Sequence, residues 1–134
     1  NIKKNILYIK NSIKNLKENN IKVSLFIEPR ISDVVIAKKI DANSVELHTG
    51  KFCRLFNNRK NYKNEIEKIK KAANYAKKIG LHVHAGHGFT YKSVEKICKI
   101  RAITEYNIGH YIISASIFTG ISYSIKKFKK IINK

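Results

Sequence analysis

The chain has little cysteine, little acid and no long apolar run, and each shortage narrows what it can be. Its two cysteines, Cys53 and Cys98, form neither a CxxC nor a CxxH pair. That argues against a disulfide framework or a zinc site and for ordinary thiols in a reducing compartment, with the cytoplasm as the expected location. No stretch of about 18 apolar residues occurs, so no membrane-spanning helix is expected. The Lys- and Asn-rich start shows helical periodicity in place of a charged tip followed by an apolar block, so no secretory leader is expected either. At 134 residues the chain suits one domain with a real core, and residues 1–134 read as a single unit.

Only nine acidic residues stand against 28 basic ones, for a formal net charge of +19. Such an excess raises the question of nucleic acid, but only four of the basic residues are arginine, the usual bidentate reader of bases and phosphates. The lysines are spread over the helical segments, with no aromatic–basic interleaving of the kind found in RNA-binding sheets. Ile, Lys and Asn together make up nearly half the chain, the signature of AT-rich coding. The expectation is a solvated lysine surface with weak, salt-sensitive polyanion binding and no specific nucleic-acid partner.

The organisation is an alternation of helix and strand. Ile2, Ile6, Ile9, Ile13 and Leu16 recur at spacings of four and three, giving one apolar helix face that ends at Asn19-Asn20. Val23–Ile27 is an apolar strand closed by Pro29, and Ser32-Asp33 is the expected N-cap of the next helix. Ser44–His48 is the second strand, and residues 51–62 read as a polar loop. A helix carrying Ile66, Ile69, Ala73 and Ala76 inward stops at Gly80. Leu81–Ala85 is the third strand and Gly86-His87-Gly88 its exit. Helix from Tyr91 to about Ile100, strand Glu105–Ile108, a helix start at Tyr111 and a last helix through Ile121, Ile125, Phe128 and Ile132 complete the chain. Strands separated by helices call for parallel pairing. Four such units are half of a (β/α)8 barrel or one small doubly wound sheet. The absence of a Gly-rich phosphate loop in the first crossover, and of a fifth strand, favours the half-barrel.

Polar groups gather near the C-terminal ends of these strands: Glu28 after the first, Glu46 and His48 on the second, His84 and His87 on the third, Asn107 and His110 on the fourth. In a barrel that rim is where catalytic side chains collect. Glu46 lies between Val45 and Leu47 in a strand expected to be buried, where a carboxylate is either one half of a structural ion pair or a group facing a polar intermediate. His87, held between two glycines at a strand exit, is a candidate for proton transfer near neutral pH; the alternative is a core histidine satisfied by backbone. His82, His84 and His87 raise a metal reading, but no carboxylate or cysteine converges with them and no metal is expected. Gly109-His110 precedes a helix start, which makes either an anion site or a plain turn.

Four blocks carry a resemblance: Val23-Ser24-Leu25-Phe26-Ile27, Val45-Glu46-Leu47-His48-Thr49-Gly50, Ala85-Gly86-His87-Gly88-Phe89-Thr90-Tyr91 and Asn107-Ile108-Gly109-His110. In their order and spacing the chain resembles the pyridoxine 5'-phosphate synthase family, and the likeness covers essentially all 134 residues. The family's (β/α)8 barrel implies that this chain is its C-terminal half, four parallel strands alternating with helices. The resemblance further implies condensation of 3-amino-2-oxopropyl phosphate with 1-deoxy-D-xylulose 5-phosphate to pyridoxine 5'-phosphate, inorganic phosphate and water, with no metal or organic cofactor. It implies His87 as proton donor and Glu46 as the carboxylate that stabilises a transition state. Gly88, Gly109 and His110 are implied as binders of the aminooxopropyl phosphate. Two positions depart from the family pattern. His84 stands where asparagine is expected, a change expected to alter hydrogen bonding behind His87. Ser114-Ala115-Ser116 replaces a segment where a charged residue is usual, so surface or interface contacts are expected to differ.

Half a barrel is expected to leave two strand edges unpaired and an apolar inner surface open. The expected partners are therefore the N-terminal half as a separate chain, or a second copy in a homo-oligomer, and the isolated chain is expected to lack synthase activity. Two alternatives stand beside this reading: a catalytically silent fragment or split-gene subunit with a structural or binding role, and a basic nucleic-acid-binding protein.

Overall fold

A computed structural model describes residues 5–133; Ile2, assigned to the first helix by periodicity, lies outside the described residues. After α1 (Ile6–Glu18), four strands alternate with helices: β1 (Ser24–Ile27), α2 (Ile31–Lys39), β2 (Ser44–His48), α3 (Gly50–Asn57), α4 (Lys63–Lys78), β3 (His82–Gly86), α5 (Tyr91–Ile97), β4 (Glu105–Asn107), α6 (His110–Thr119) and α7 (Ile121–Ile132). The strands form one sheet in the order β1-β2-β3-β4, and every neighbouring pair is parallel. Each unit thus steps to the next strand in the same direction. A doubly wound sheet reverses its strand order at a switch point, and this one does not. The winding is that of part of a (β/α)8 barrel.

The period-two alternation of each strand decides which face is covered. Leu25, Ile27, Val45, Leu47, Val83 and Ala85 point to the helices and are largely or fully buried. They pack with Val34 and Ala37 of α2, Ile69, Ala73 and Ala76 of α4, and Val94 and Ile97 of α5 in a single hydrophobic cluster. Small alanines on α4 let that helix lie close to the sheet. Deleting a large side chain from such a cluster, Leu47 for example, costs about 2–5 kcal/mol through lost transfer energy and the cavity left behind.

The opposite face corrects the expectation of an open apolar surface. The alternate positions carry Ser24, Ser44, Glu46, His48, His82, His84, Glu105 and Asn107, with Phe26, 57% exposed, as the large apolar exception. Register brings Phe26, Glu46, His84 and Glu105 into one row across the sheet. A polar face loses little by meeting water, so the open side is not where apolar surface is stranded. Exposed apolar side chains sit instead on helices: Leu7 and Tyr8 on α1, Ile113, Ile117 and Phe118 on α6, Ile121 and Tyr123 on α7.

Local differences from the sequence reading have identifiable causes. The segment read as a loop from residue 51 is helix α3 as far as Asn57. Its polar residues disguise Phe52, Cys53 and Phe56, of which the first two are buried, and Phe52 and Phe56 close an aromatic cluster with Tyr62. Helix α2 starts at Ile31, so Ser32 and Asp33 are not its N-cap but lie in its first turn, where the acidic group of Asp33 favours the positive helix end. Beyond β4 the chain forms two helices that meet at Gly120, whose positive φ of 80° turns one into the other. Helices α1, α2, α3 and α4 all finish in the same way. The residues at Asn20, Asp41, Arg59 and Gly80 take positive φ, and paired backbone bonds close back on the last turn, such as Lys60 N–H to Leu55 O at 2.8 Å with Arg59 N–H to Phe56 O at 3.0 Å.

Candidate active site

The exit from β3 is held by the residue that follows β2. Thr49 is fully buried; its hydroxyl lies 2.7 Å from Gly86 O and 2.8 Å from His87 O, and its backbone N–H donates to Gly86 O at 2.9 Å. These bonds fix a turn in which His87 adopts φ 78°, a left-handed conformation that costs a non-glycine residue roughly 1–2 kcal/mol. Gly88 follows at φ 83°, and a Cβ on it would come within 3.1 Å of the Cys53 Cβ. Burial pushes the Cys53 thiol up from its ordinary value, with the Ser93 and Thr49 hydroxyls acting in the opposite direction. The turn is then anchored downstream: Thr90 caps α5 in a reciprocal pair with Ser93, the Thr90 N–H meeting Ser93 Oγ at 2.8 Å and the Ser93 N–H meeting Thr90 Oγ1 at 3.2 Å. The left-handed conformation of His87 is thus held from both sides of the turn.

Around His87 the rings and carboxylates are paired. The His48 ring lies 4.7 Å from the His87 ring between centroids and 5.1 Å from the Phe26 ring. His48 Nδ1 is 3.0 Å from Glu28 Oε1, which orients the imidazole from the far side. Glu46 is half-buried, and its Oε2 accepts a hydrogen bond from Asn107 Nδ2 at 2.6 Å. His84 bonds away from His87: its Nδ1 is 3.3 Å from Glu105 Oε1 and 3.4 Å from Ser24 Oγ. His82 is exposed at the opposite end of β3. Among the described residues no three His, Cys, Asp or Glu side chains gather where they could hold a metal ion.

A cavity of about 660 Å³ opens at the C-terminal ends of the strands, and Glu46, His87, Gly88, Asn107, Gly109 and His110 all line it. The five candidate residues from the sequence, drawn from β2, the β3 exit and the start of α6, thus face one space. Gly109 precedes the first turn of α6, whose leading N–H groups have no partner within the helix, and its position is open, with nothing within 4 Å of where a Cβ would be. Imidazole, carboxylate and free helix N–H groups in one cavity can move a proton, face a developing positive charge and bind an anion. In the sequence Glu28, His48 and Asn107 stand at strand ends without an assignable role, and nothing marks Thr49 and Gly50 as parts of a site. His48, Thr49 and Gly50 belong to the block from Val45 to Gly50, and only the fold shows that this block packs against the β3 exit.

The winding of the sheet and the rim cavity define a class: part of a (β/α)8-barrel protein with a cavity lined by histidine and carboxylate side chains at the C-terminal ends of its strands. The profile of the family described as pyridoxal phosphate biosynthesis protein PdxJ matches residues 1–134. A pyridoxine 5'-phosphate synthase from Pelagibacter ubique (strain HTCC1062) is 47% identical over 134 residues, covering 100% of this chain and 56% of that protein. Proteins of the same name from Sulfurihydrogenibium sp. (strain YO3AOP1) and Ehrlichia canis (strain Jake) are 46% and 45% identical over 125 residues, 93% of this chain and 51% and 50% of theirs. The chain belongs to the PdxJ family. It spans about half the length of the curated relatives it matches. Among the described residues no helix is long and apolar enough to cross a membrane.

Proposed function

We propose that residues 1–134 form the C-terminal half of a pyridoxine 5'-phosphate synthase barrel, a single partial domain that works when the other half is supplied. The observation that carries this reading is the convergence of Glu46, His87 and the α6 N-terminus on one cavity at the strand ends. In the reaction, 3-amino-2-oxopropyl phosphate condenses with 1-deoxy-D-xylulose 5-phosphate, and pyridoxine 5'-phosphate, inorganic phosphate and water leave. Dehydration needs a proton delivered to a departing hydroxyl, and His87 is the donor. Imine and ring-closing steps develop positive charge, and the Glu46 carboxylate faces it. Gly88, Gly109 and His110 hold the phosphate of the aminooxopropyl substrate, with the open backbone at Gly109 and the free N–H groups of α6 supplying donors. No cofactor is required, because every step is proton transfer, addition or elimination.

Substrates bearing phosphate do not cross membranes unaided, which supports a cytoplasmic site of action. The unpaired edges of β1 and β4, together with the apolar side chains exposed on α1, α6 and α7, support association with the missing half and with further copies in a homo-oligomer. The test is complementation. The chain is co-expressed with the N-terminal part of the Pelagibacter ubique relative, and formation of pyridoxine 5'-phosphate from the two substrates is followed. Turnover is expected from the pair, not from the chain alone, and is expected to vanish with His87→Ala. Turnover by the chain alone, or none by a stably associated pair, overturns the reading.

A further inference from the structure

Glu46 and Asn107 are not on neighbouring strands. Glu46 belongs to β2 and Asn107 to β4, with β3 running between them. The 2.6 Å bond from Asn107 Nδ2 to Glu46 Oε2 therefore passes over a strand. What lets it pass is Gly86, the β3 residue in register with Asn107. A Cβ on Gly86 would collide with the Glu46 carboxyl and stand 3.3 Å from the Asn107 Cβ. Gly86 is not among the positive-φ residues, so glycine is needed here for space and not for backbone conformation.

We propose that Asn107 is the positioning residue of Glu46, holding its carboxylate through the gap at Gly86. This rests on the reading of Glu46 as the group that faces developing positive charge. A carboxylate on a flexible side chain loses much of its electrostatic effect if it must be ordered during the reaction, and a fixed donor supplies that order beforehand. The chemistry of the donor matters as well. A neutral amide satisfies Oε2 without neutralising the charge, whereas a lysine would neutralise it and an aspartate would compete for a proton. Among the described residues Oε1 accepts no hydrogen bond and is free to act. Asn107 is exposed, so its bond adds little to folding stability.

Two measurements test this. In ¹⁵N–¹H spectra of the 134-residue chain, the Asn107 side-chain amide is expected to shift as acid protonates Glu46, and to stay still in Glu46→Gln. An amide that behaves identically in both chains overturns the proposal whatever the enzymology. In the complemented assembly, Asn107→Ala and the isosteric Asn107→Asp are expected to lower kcat about 10- to 100-fold while KM for either phosphate changes less than about threefold. Gly86→Ala is expected to produce a similar loss, and combining it with Asn107→Ala to add little. Unchanged kcat in both Asn107 variants beside an active parent also overturns it. An assembly that makes no product at all counts against the synthase reading, and the amide titration then decides the coupling of Asn107 to Glu46 separately.

Discussion

The imidazole rings of His48 and His87 stand 4.7 Å apart between centroids, tilted by 58°, and both lean over Gly50. One ring comes from the end of β2 and the other from the exit of β3, and Gly50 opens the helix that follows β2. Glu28 holds the outer nitrogen of His48 at 3.0 Å, so the row Glu28, His48, His87 crosses three strand ends and stops at the cavity. His87 is thereby packed from behind by a ring that is itself tethered.

Gly50→Ala should separate function from stability. The added Cβ would meet His87 Cδ2 at 2.6 Å and His48 Nε2 at 2.8 Å, so both rings must move. Side chains can yield, and alanine is favoured over glycine in a helix by up to about 1 kcal/mol, so thermal stability is expected to change little. Activity of the complemented assembly is expected to fall about tenfold or more. Full activity would show that the ring placement is irrelevant.

At position 87 the left-handed backbone favours glycine. His87→Gly is therefore expected to be more stable than His87→Ala by about 1 kcal/mol in urea unfolding, although both are expected to be inactive. Equal stabilities would mean that the turn relaxes when the imidazole is removed.

Arg59 occupies the left-handed position after α3, where the Lys60 and Arg59 N–H groups close on Leu55 O and Phe56 O, and its side chain is exposed. Arg59→Gly keeps both bonds and removes the Cβ conflict. It is expected to raise stability by roughly 0.5–1 kcal/mol, read as a higher urea midpoint at unchanged slope.

Glu65 gives the pH dependence. Burial alone would raise its carboxyl, but hydrogen bonds from Lys51 and Lys68, each at 2.8 Å, and their charges outweigh this and hold it below the ordinary 4.5. A folded-state value below the unfolded one means stabilisation that is present above about pH 4.5 and lost as pH falls through the lower folded value. Glu65→Gln is expected to be less stable than the parent near neutral pH, and the gap to close on acidification. A gap that widens in acid would reverse the assignment.

Much of this molecule is legible one segment at a time. Ser44–His48 and Leu81–Ala85 read as strands, the latter displaced by one residue from β3 (His82–Gly86), the spacing of Ile66, Ile69, Ala73 and Ala76 marks a helix face, and Gly80 marks its end, because each depends on residues a few positions apart. Family membership was legible too, in four blocks whose order needs no coordinates. Helix α3 escaped because its apolar residues are few and their burial depends on Tyr62 and the sheet. The polar character of the open face was present in the alternate strand positions but became visible only when register placed Phe26, Glu46, His84 and Glu105 in one row. The bond from Asn107 to Glu46 could not be read at all from the chain, since it links residues 61 apart over an intervening strand and exists because Gly86 has no side chain. By itself the sequence determined the elements other than α3, their order and the family, because those follow from local periodicity and motif. Tertiary structure alone decided which polar groups meet, because that depends on strand register and on the space a missing Cβ leaves.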